Sequence, residues 1–434
     1  MEPHIIRAGA HDIPHATALR MHQAPLTTKT LATYAPVVGD DVIDEIETLA
    51  RPLRGARVAH ISATAHGGGV AELLNTLVPL MRDAGLNADW QVISGSDEFF
   101  TITKGMHNAL QGMPLELTPA MEETYLRVNS DNAASFDGHY DFVVVHDPQP
   151  APLRALRLGD EGKWVWRCHI DLTTASQVHW DFVRPYLDVY DAAIFTMPEY
   201  ALPDLHVGLV AIIPPAIDPL SPKNVRLADE QVAKLVGARG VDPARPFLTQ
   251  VSRFDPWKDP VGVIEAYRVV RQRMPSVQLV MLGALAQDDP EGERYYQRTL
   301  EAAGNDPSIH VLMNVGGSAE VNAFQRRAAV VLQKSLREGF GLTVTEALWK
   351  ARPVVASRVG GIPLQITDGE TGYLVESVEE TADRVLEILL EPDEAVELGR
   401  RGHEAVRRKF LSTANLTNYL RLFNDLEARG TLMR

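Results

Sequence analysis

Cysteine is almost absent: Cys168 stands alone among 434 residues. This excludes an internal disulfide framework and a cysteine-based zinc site, and it suits a reducing compartment. Long hydrophobic runs are also missing. No stretch approaches the ~20 apolar residues that span a bilayer. The segment from Met1 to Gln23 scatters His, Asp and Arg where a secretory signal would carry an apolar core. The expectation is a cytoplasmic protein. Positive charge is scarce, with 42 Lys and Arg against 57 Asp and Glu and a formal net charge of −15. Nucleic acid and anionic membranes would repel such a chain at long range, so a phosphate-bearing ligand must meet positive charge locally. No Walker lysine and no GxGxxG occur, which leaves neither a P-loop nor an ordinary dinucleotide site. His4, His11, His15 and His22 invite a metal, but Pro14 interrupts them and no carboxylate–histidine pattern closes a site. A mobile or strand-like arm is the simpler expectation.

What is present is globular: 45% hydrophobic and 23% charged residues, in a chain long enough for two or three domains. Buried-strand patterns recur at 57–62, 90–93, 142–146, 163–169, 192–196 and 207–213, with helical periodicity between several of them. A second series occupies 247–252, 278–282, 310–313, 329–332, 354–356 and 373–375. Strands alternating with helices imply α/β architecture: two Rossmann-like, doubly wound parallel-sheet domains facing a cleft. Pro214-Pro215-Ala216-Ile217-Asp218-Pro219 continues neither a helix nor a central strand and reads as the hinge. The division is 1–215, 216–404 and a terminal helical segment, 405–434, whose amphipathic part runs from Val406 to Leu426.

Three loops carry chemistry. Arg337-Glu338-Gly339-Phe340-Gly341-Leu342-Thr343-Val344-Thr345-Glu346 follows a buried strand and opens a helix near Thr343. Its glycines let the N–H groups of Phe340, Gly341 and Leu342 approach an anion at a helix N-terminus. Glu338 and Glu346 would reach one cleft at two depths, although Thr343 and Glu346 also fit an ordinary capping box. Gly67-Gly68-Gly69 lies between the first strand and its helix, either as an anion cradle or as a plain tight turn. Arg253 and Lys258, around Pro256, suit a pyrophosphate leaving group; the plain alternative pairs Arg253 with Asp255 and Lys258 with Asp259. Two further strand ends, His146-Asp147 and Cys168-His169-Ile170-Asp171, are polar, and Asp171 there could equally cap a helix.

Glu338-x7-Glu346 around Gly-Phe-Gly resembles the paired-glutamate signature of family 4 retaining glycosyltransferases, which have the GT-B fold. The resemblance implies that Glu338 contacts the donor sugar's hydroxyls and Glu346 the ribose. The stretches 67–72, 98–112, 146–152, 164–171 and 251–260 resemble, within that family, the trehalose glycosyltransferring synthases, from about Val37 onward; the first 25 or so residues lie outside it. Those enzymes join glucose from a nucleoside diphosphate glucose to free glucose, giving α,α-trehalose. By the same likeness, and by that of trehalose-phosphate synthases, Asp147 bonds acceptor hydroxyls and His169 lies between the two sugars, with Asp171 beside them. The terminal helix is implied to pack back onto the N-terminal domain.

The implied catalytic set is Glu338, His169, Arg253 and Lys258. The donor set adds Gly67, Gly68, Gly69, Phe340, Gly341, Leu342 and Glu346, and the acceptor set is Asp147, His169 and Asp171. No Asp-x-Asp triplet is available to hold Mn²⁺ or Mg²⁺ on a diphosphate, so no obligatory metal is expected and magnesium is at most a stimulant. The partners are small molecules, nucleotide-sugar with glucose or trehalose, and a homodimer is a family-level expectation. A trehalose phosphorylase, another family 4 transferase, or a non-enzymatic nucleotide-sugar sensor stay open. Base preference would depend on backbone near Met313 to Gly316. The Gly67 to Val70 loop holds no Arg or Lys, which favours an uncharged acceptor.

Overall fold

The computed structural model describes residues 20–157, 159, 162–283, 290–313 and 317–432. The first sheet is built from β1 (His22–Gln23), β2 (Arg57–Ser62), β3 (Asn87–Val92), β4 (Phe142–His146), β5 (Lys163–Arg167), β6 (Ala192–Phe195) and β7 (Leu209–Ile212). Its order is β1-β3-β2-β4-β5-β6-β7, parallel except for β1, which pairs antiparallel with β3 through His22 and Gln23. His22 therefore belongs to an edge strand; the other three N-terminal histidines lie outside the described residues. Every residue of β4 is buried, as a strand covered on both faces requires. On β5, Trp164 and Trp166 enter one core and Val165 the other, so alternation along the strand feeds two separate layers.

The second sheet is parallel throughout. It comprises β8 (Phe247–Val251), β9 (Gln278–Gly283), β10 (Ile309–Met313), β11 (Val330–Gln333), β12 (Val354–Ser357) and β13 (Tyr373–Val375), in the order β10-β9-β8-β11-β12-β13. The parallel strands of both sheets start in the middle and reverse direction, around β2 in the first and β8 in the second. A crevice opens at such a switch point, beyond the carboxyl ends of the strands. The glycine loop follows β2, His146-Asp147 ends β4, Arg253 to Lys258 follows β8, and Glu338 follows β11. The 314–316 stretch, where base contacts were expected, lies outside the described residues.

The amphipathic segment from Val406 to Leu426 is not one helix. It divides between the Pro392–Lys409 and Ser412–Leu432 helices. The break has a cause: Phe410 and Leu411 turn inward, and their backbone pairs with the Pro214–Pro219 crossing. Ile217 N donates to Phe410 O at 2.9 Å, Ser412 N donates to Ile217 O at 2.9 Å, and Asn415 Nδ2 donates to Pro214 O at 3.0 Å. The Ser412–Leu432 helix then lies on the first sheet, where Phe423 stacks on Phe142 with ring centroids 4.3 Å apart.

Candidate active site

On the second domain, the Lys258 ammonium meets Glu338 Oε2 at 2.6 Å, with both side chains largely shielded. Gln333 Nε2 and Ser335 Oγ also approach that oxygen, at 3.4 and 3.5 Å. The plain pairing of Lys258 with Asp259 is not formed; Asp259 takes Lys334 instead and caps the Pro260–Arg273 helix at Gly262 N. Arg253 pairs with Asp255 at 3.3 Å yet stays 62% exposed, a cation still open to a ligand. Burial raises the Asp255 carboxyl above its usual range, against the pull of Arg253 and Lys258.

Gly341, at φ 84°, precedes the Leu342–Trp349 helix with no side chain capping it. The expected capping box is not made: Thr343 sits inside the helix and donates to Gln333 Oε1 at 2.7 Å. The N-terminal N–H groups thus keep their capacity for an anion. Phe340 is buried and its ring lies 5.6 Å from that of Phe410, so only its backbone can serve a ligand. Glu346 is 3% exposed; its oxygens meet Lys223 at 3.4 Å and Gln325 Nε2 at 3.3 Å, and Lys223 also reaches Glu72 of the first domain at 2.6 Å. Burial opposes charge on Lys223, but the two glutamates outweigh it and raise its pKa.

On the first domain, Asp147 adopts φ 66°, a left-handed conformation uncommon for a residue with a side chain. Three bonds hold it: its N–H donates to Arg167 O, its carboxylate accepts from His169 N at 2.9 Å, and its carbonyl accepts from Trp166 Nε1. Burial pushes its pKa up to about 7, with the His169 N–H and Arg167 pulling the other way. Burial also drives His169 well below the usual imidazole range, and Arg167 and His107 add to that. Asp171 does not cap a helix; it accepts from Thr173 N and Oγ1 in a local turn. In the glycine loop, Gly67 and Gly68 have φ of 71° and 77°, and a Cβ at Gly69 would lie 3.1 Å from Leu342 Cδ1 across the cleft.

The two halves face each other. Tyr200 Oη donates to Gly339 O at 2.9 Å, and Arg337, stacked 4.7 Å over the Trp257 ring, donates to Gln111 O. A cavity of about 380 Å³ lies between them, lined by Arg253, Lys258, Glu338 and Asp171 of the expected residues. Lys104, His107, Gln149 and Arg337 also line it and were not anticipated. Leu342 and Glu346 open instead onto a second hollow of about 310 Å³, with Glu72 and Lys223. Asp147, His169 and Gly67 to Gly69 line neither, although the His169 carbonyl comes within 3.3 Å of a Cβ built on Gly339. The only sequence signal for Arg337 was its place before Glu338; Lys223 and Glu72 carried none, being brought together from distant segments.

A parallel two-domain fold with a cationic, glycine-bordered cleft is the architecture of a nucleotide-sugar transferase, and residues 234–405 match the family model described as glycosyl transferases group 1. Residues 60–202 match the model of the trehalose synthase N-terminal domain. The chain is 51% identical to the trehalose synthase of Rubrobacter xylanophilus over 92% of its own length and 97% of that protein. It is 47% identical to that of Thermococcus litoralis over the same shares. It belongs to the trehalose synthase family. A trehalose phosphorylase of Pleurotus pulmonarius is 29% identical over 79% of this chain and 54% of that protein. Among solved structures, a UDP-forming α,α-trehalose-phosphate synthase from Burkholderia xenovorans superposes with a TM-score of 0.70 at 15% identity, over 86% of this chain and 99% of the other. The GT-B fold is shared with it.

Proposed function

We propose that the protein transfers glucose, with retention, from a nucleoside diphosphate glucose (ADP-, UDP- or GDP-glucose) to free glucose, forming α,α-trehalose in a reversible reaction. The observation that carries this reading is the Lys258–Glu338 pair standing in one cavity with Arg253 and Asp171, with the His169 carbonyl 3.3 Å from a Cβ built on the adjoining Gly339. Glu338 accepts from donor-sugar hydroxyls, while Lys258 and Arg253 stabilise the charge that grows on the departing diphosphate. Glu346, in the adjoining hollow, takes the ribose hydroxyls, and the open N–H groups of the Gly67 to Gly69 and Gly341 turns add positive potential to the phosphates. Asp147 and Asp171 fix the acceptor's hydroxyls, and His169 donates to an oxygen near the reacting centre.

No carboxylate other than Glu338 is assigned to the reacting centre, and Glu338 is tied to Lys258. A double displacement would need a free carboxylate beneath the anomeric carbon. Same-face attack, with a departing phosphate oxygen taking the acceptor proton, fits better. Cations of the chain itself serve the diphosphate, so no metal is obligatory and magnesium at most stimulates. The reading includes a cytoplasmic location, supported by the lone cysteine, and a homodimer, which light scattering tests.

The test is to incubate metal-stripped protein with ADP-, UDP- or GDP-glucose and either glucose or glucose 6-phosphate, then assay diphosphate and disaccharide. Trehalose from free glucose alone is expected. The glucose 6-phosphate arm matters because exposed Lys104 puts one first-domain cation beside the cavity. Glucose 1-phosphate released from trehalose and phosphate, with no transfer from any nucleotide-sugar, would establish a phosphorylase instead.

A further inference from the structure

Behind His169 runs a line of buried histidines. His169 Nε2 lies 2.9 Å from His146 Nδ1, and His146 Nε2 lies 3.0 Å from His60 Nδ1. The rings of His146 and His169 stack at 15° with centroids 5.2 Å apart. His60 and His146 come from the neighbouring strands β2 and β4, and both are at most 1% exposed. Each ring is neutral. Burial lowers the His60 pKa to about 3 and takes His146 and His169 well below the normal range. The charged and titratable groups that bear on the line are Arg167 on β5, His107 on the Asp97–Ala109 helix, and Asp147 at the end of β4.

Three neutral rings carry three protons. The two bonds inside the line use two of them, and both bonds form only when all three rings point the same way. The third proton then sits at one end, on His60 Nε2 or on His169 Nδ1. His60 Nε2 is buried with no protein partner among the described residues. Tyr419, whose ring meets His60 edge-on at 5.8 Å, has a buried hydroxyl that is also unpaired. All three guanidinium nitrogens of buried Arg167 are unpaired too, and its charge acts on Tyr419. The guanidinium nitrogens are donors only, in want of acceptors, and the hydroxyl can donate as well as accept. A proton on His60 Nε2 would add another donor, whereas a lone pair there suits them.

We propose that His146, backed by His60, is a positioning residue that holds His169 as its Nδ1–H tautomer, so that the uncommitted ring nitrogen is a hydrogen-bond donor available to a sugar oxygen. This rests on the reading of His169 as a neighbour of the reacting sugars, and it adds the direction of the bond. His169 acts as an electrophilic donor and not as a base, which agrees with a mechanism in which a leaving phosphate oxygen takes the acceptor proton.

Nitrogen-15 NMR of histidine-labelled protein tests it, with the His169 signals assigned by their loss in His169→Gln. The expected result is a protonated-type Nδ1 and an unprotonated-type Nε2 in the ligand-free protein at neutral pH. The reverse pattern would overturn the proposal. His146→Leu is expected to release His169 to the Nε2–H form that histidine prefers in water, and to lower kcat at least roughly tenfold. His146→Asn, whose amide nitrogen stands where Nδ1 stood, is expected to restore the Nδ1–H form and most of kcat. Unchanged His169 signals in His146→Leu would sink the relay. If that variant does not fold, the wild-type pattern and His146→Asn still decide. The tautomer is read without turnover: absence of trehalose formation beside an Nδ1–H His169 would remove the transferase reading and leave the relay standing.

Discussion

At the scale of single residues, burial decides which groups are charged. Ionised Asp147 accepts from sugar hydroxyls with both oxygens and more strongly than the neutral acid, and its pKa of about 7 puts that ionisation in the working range. The expected outcome is that kcat/KM for glucose falls below about pH 7, towards a limiting slope of about tenfold per pH unit, and that Asp147→Asn abolishes the slope. Initial rates across a pH series check this. Stability falls with acid as well, through the histidines. Unfolded, each takes up a proton near its ordinary 6.5; folded, His60, His146 and His169 do not. They contribute stability above that value, and it is lost as pH falls through the unfolded pKa. Asp147 works the other way, since its raised pKa gives stability at low pH that is lost as pH rises from 3.8 towards 7. Three histidines outweigh one aspartate, so Tm should fall between about pH 7.5 and about pH 5, as thermal melts would show. A flat or rising Tm over that interval would contradict the buried-neutral assignment.

At the scale of elements, the loop after β11 depends on its neighbour. Gly360, at φ 51°, lies so near that a Cβ would stand 1.6 Å from the carbonyl oxygen of Glu338. Gly360→Ala is therefore expected to push the Glu338 turn out of place. Strain at the left-handed position and the clash together should cost roughly 1–3 kcal/mol of stability, with a larger loss in transfer rate than Tm alone would suggest. Melts beside kinetics separate the two effects. The strands were legible because runs such as Phe142 to Val145 are buried on both faces, a pattern that survives without coordinates. The Glu338 and Arg253–Lys258 loops were legible because their residues lie close together in sequence. The histidine line was not. His60 and His146 read as isolated polar residues until strand pairing sets His60 beside Val144, two residues from His146. Likewise the break at Phe410 leaves no mark in a continuous amphipathic pattern, since its cause is the distant Ile217.

At the scale of the whole molecule, the chain passes between domains at Pro214–Pro219 and again at Phe410–Leu411, and the two passages are hydrogen-bonded to each other. Paired crossings leave bending as the easy motion and resist swivelling. Domain closure about them is expected when nucleotide-sugar analogue and glucose bind, and small-angle scattering should show a reduced radius of gyration; identical profiles with and without ligands would count against it. The second crossing also bears on biosynthesis. The β8–β13 sheet is contiguous in sequence, but the face of the first sheet that carries Phe142 is sealed by Phe423. A nascent chain therefore carries the earlier domain with part of one apolar face uncovered while the later domain is completed, and the Ser412–Leu432 helix closes the older half last.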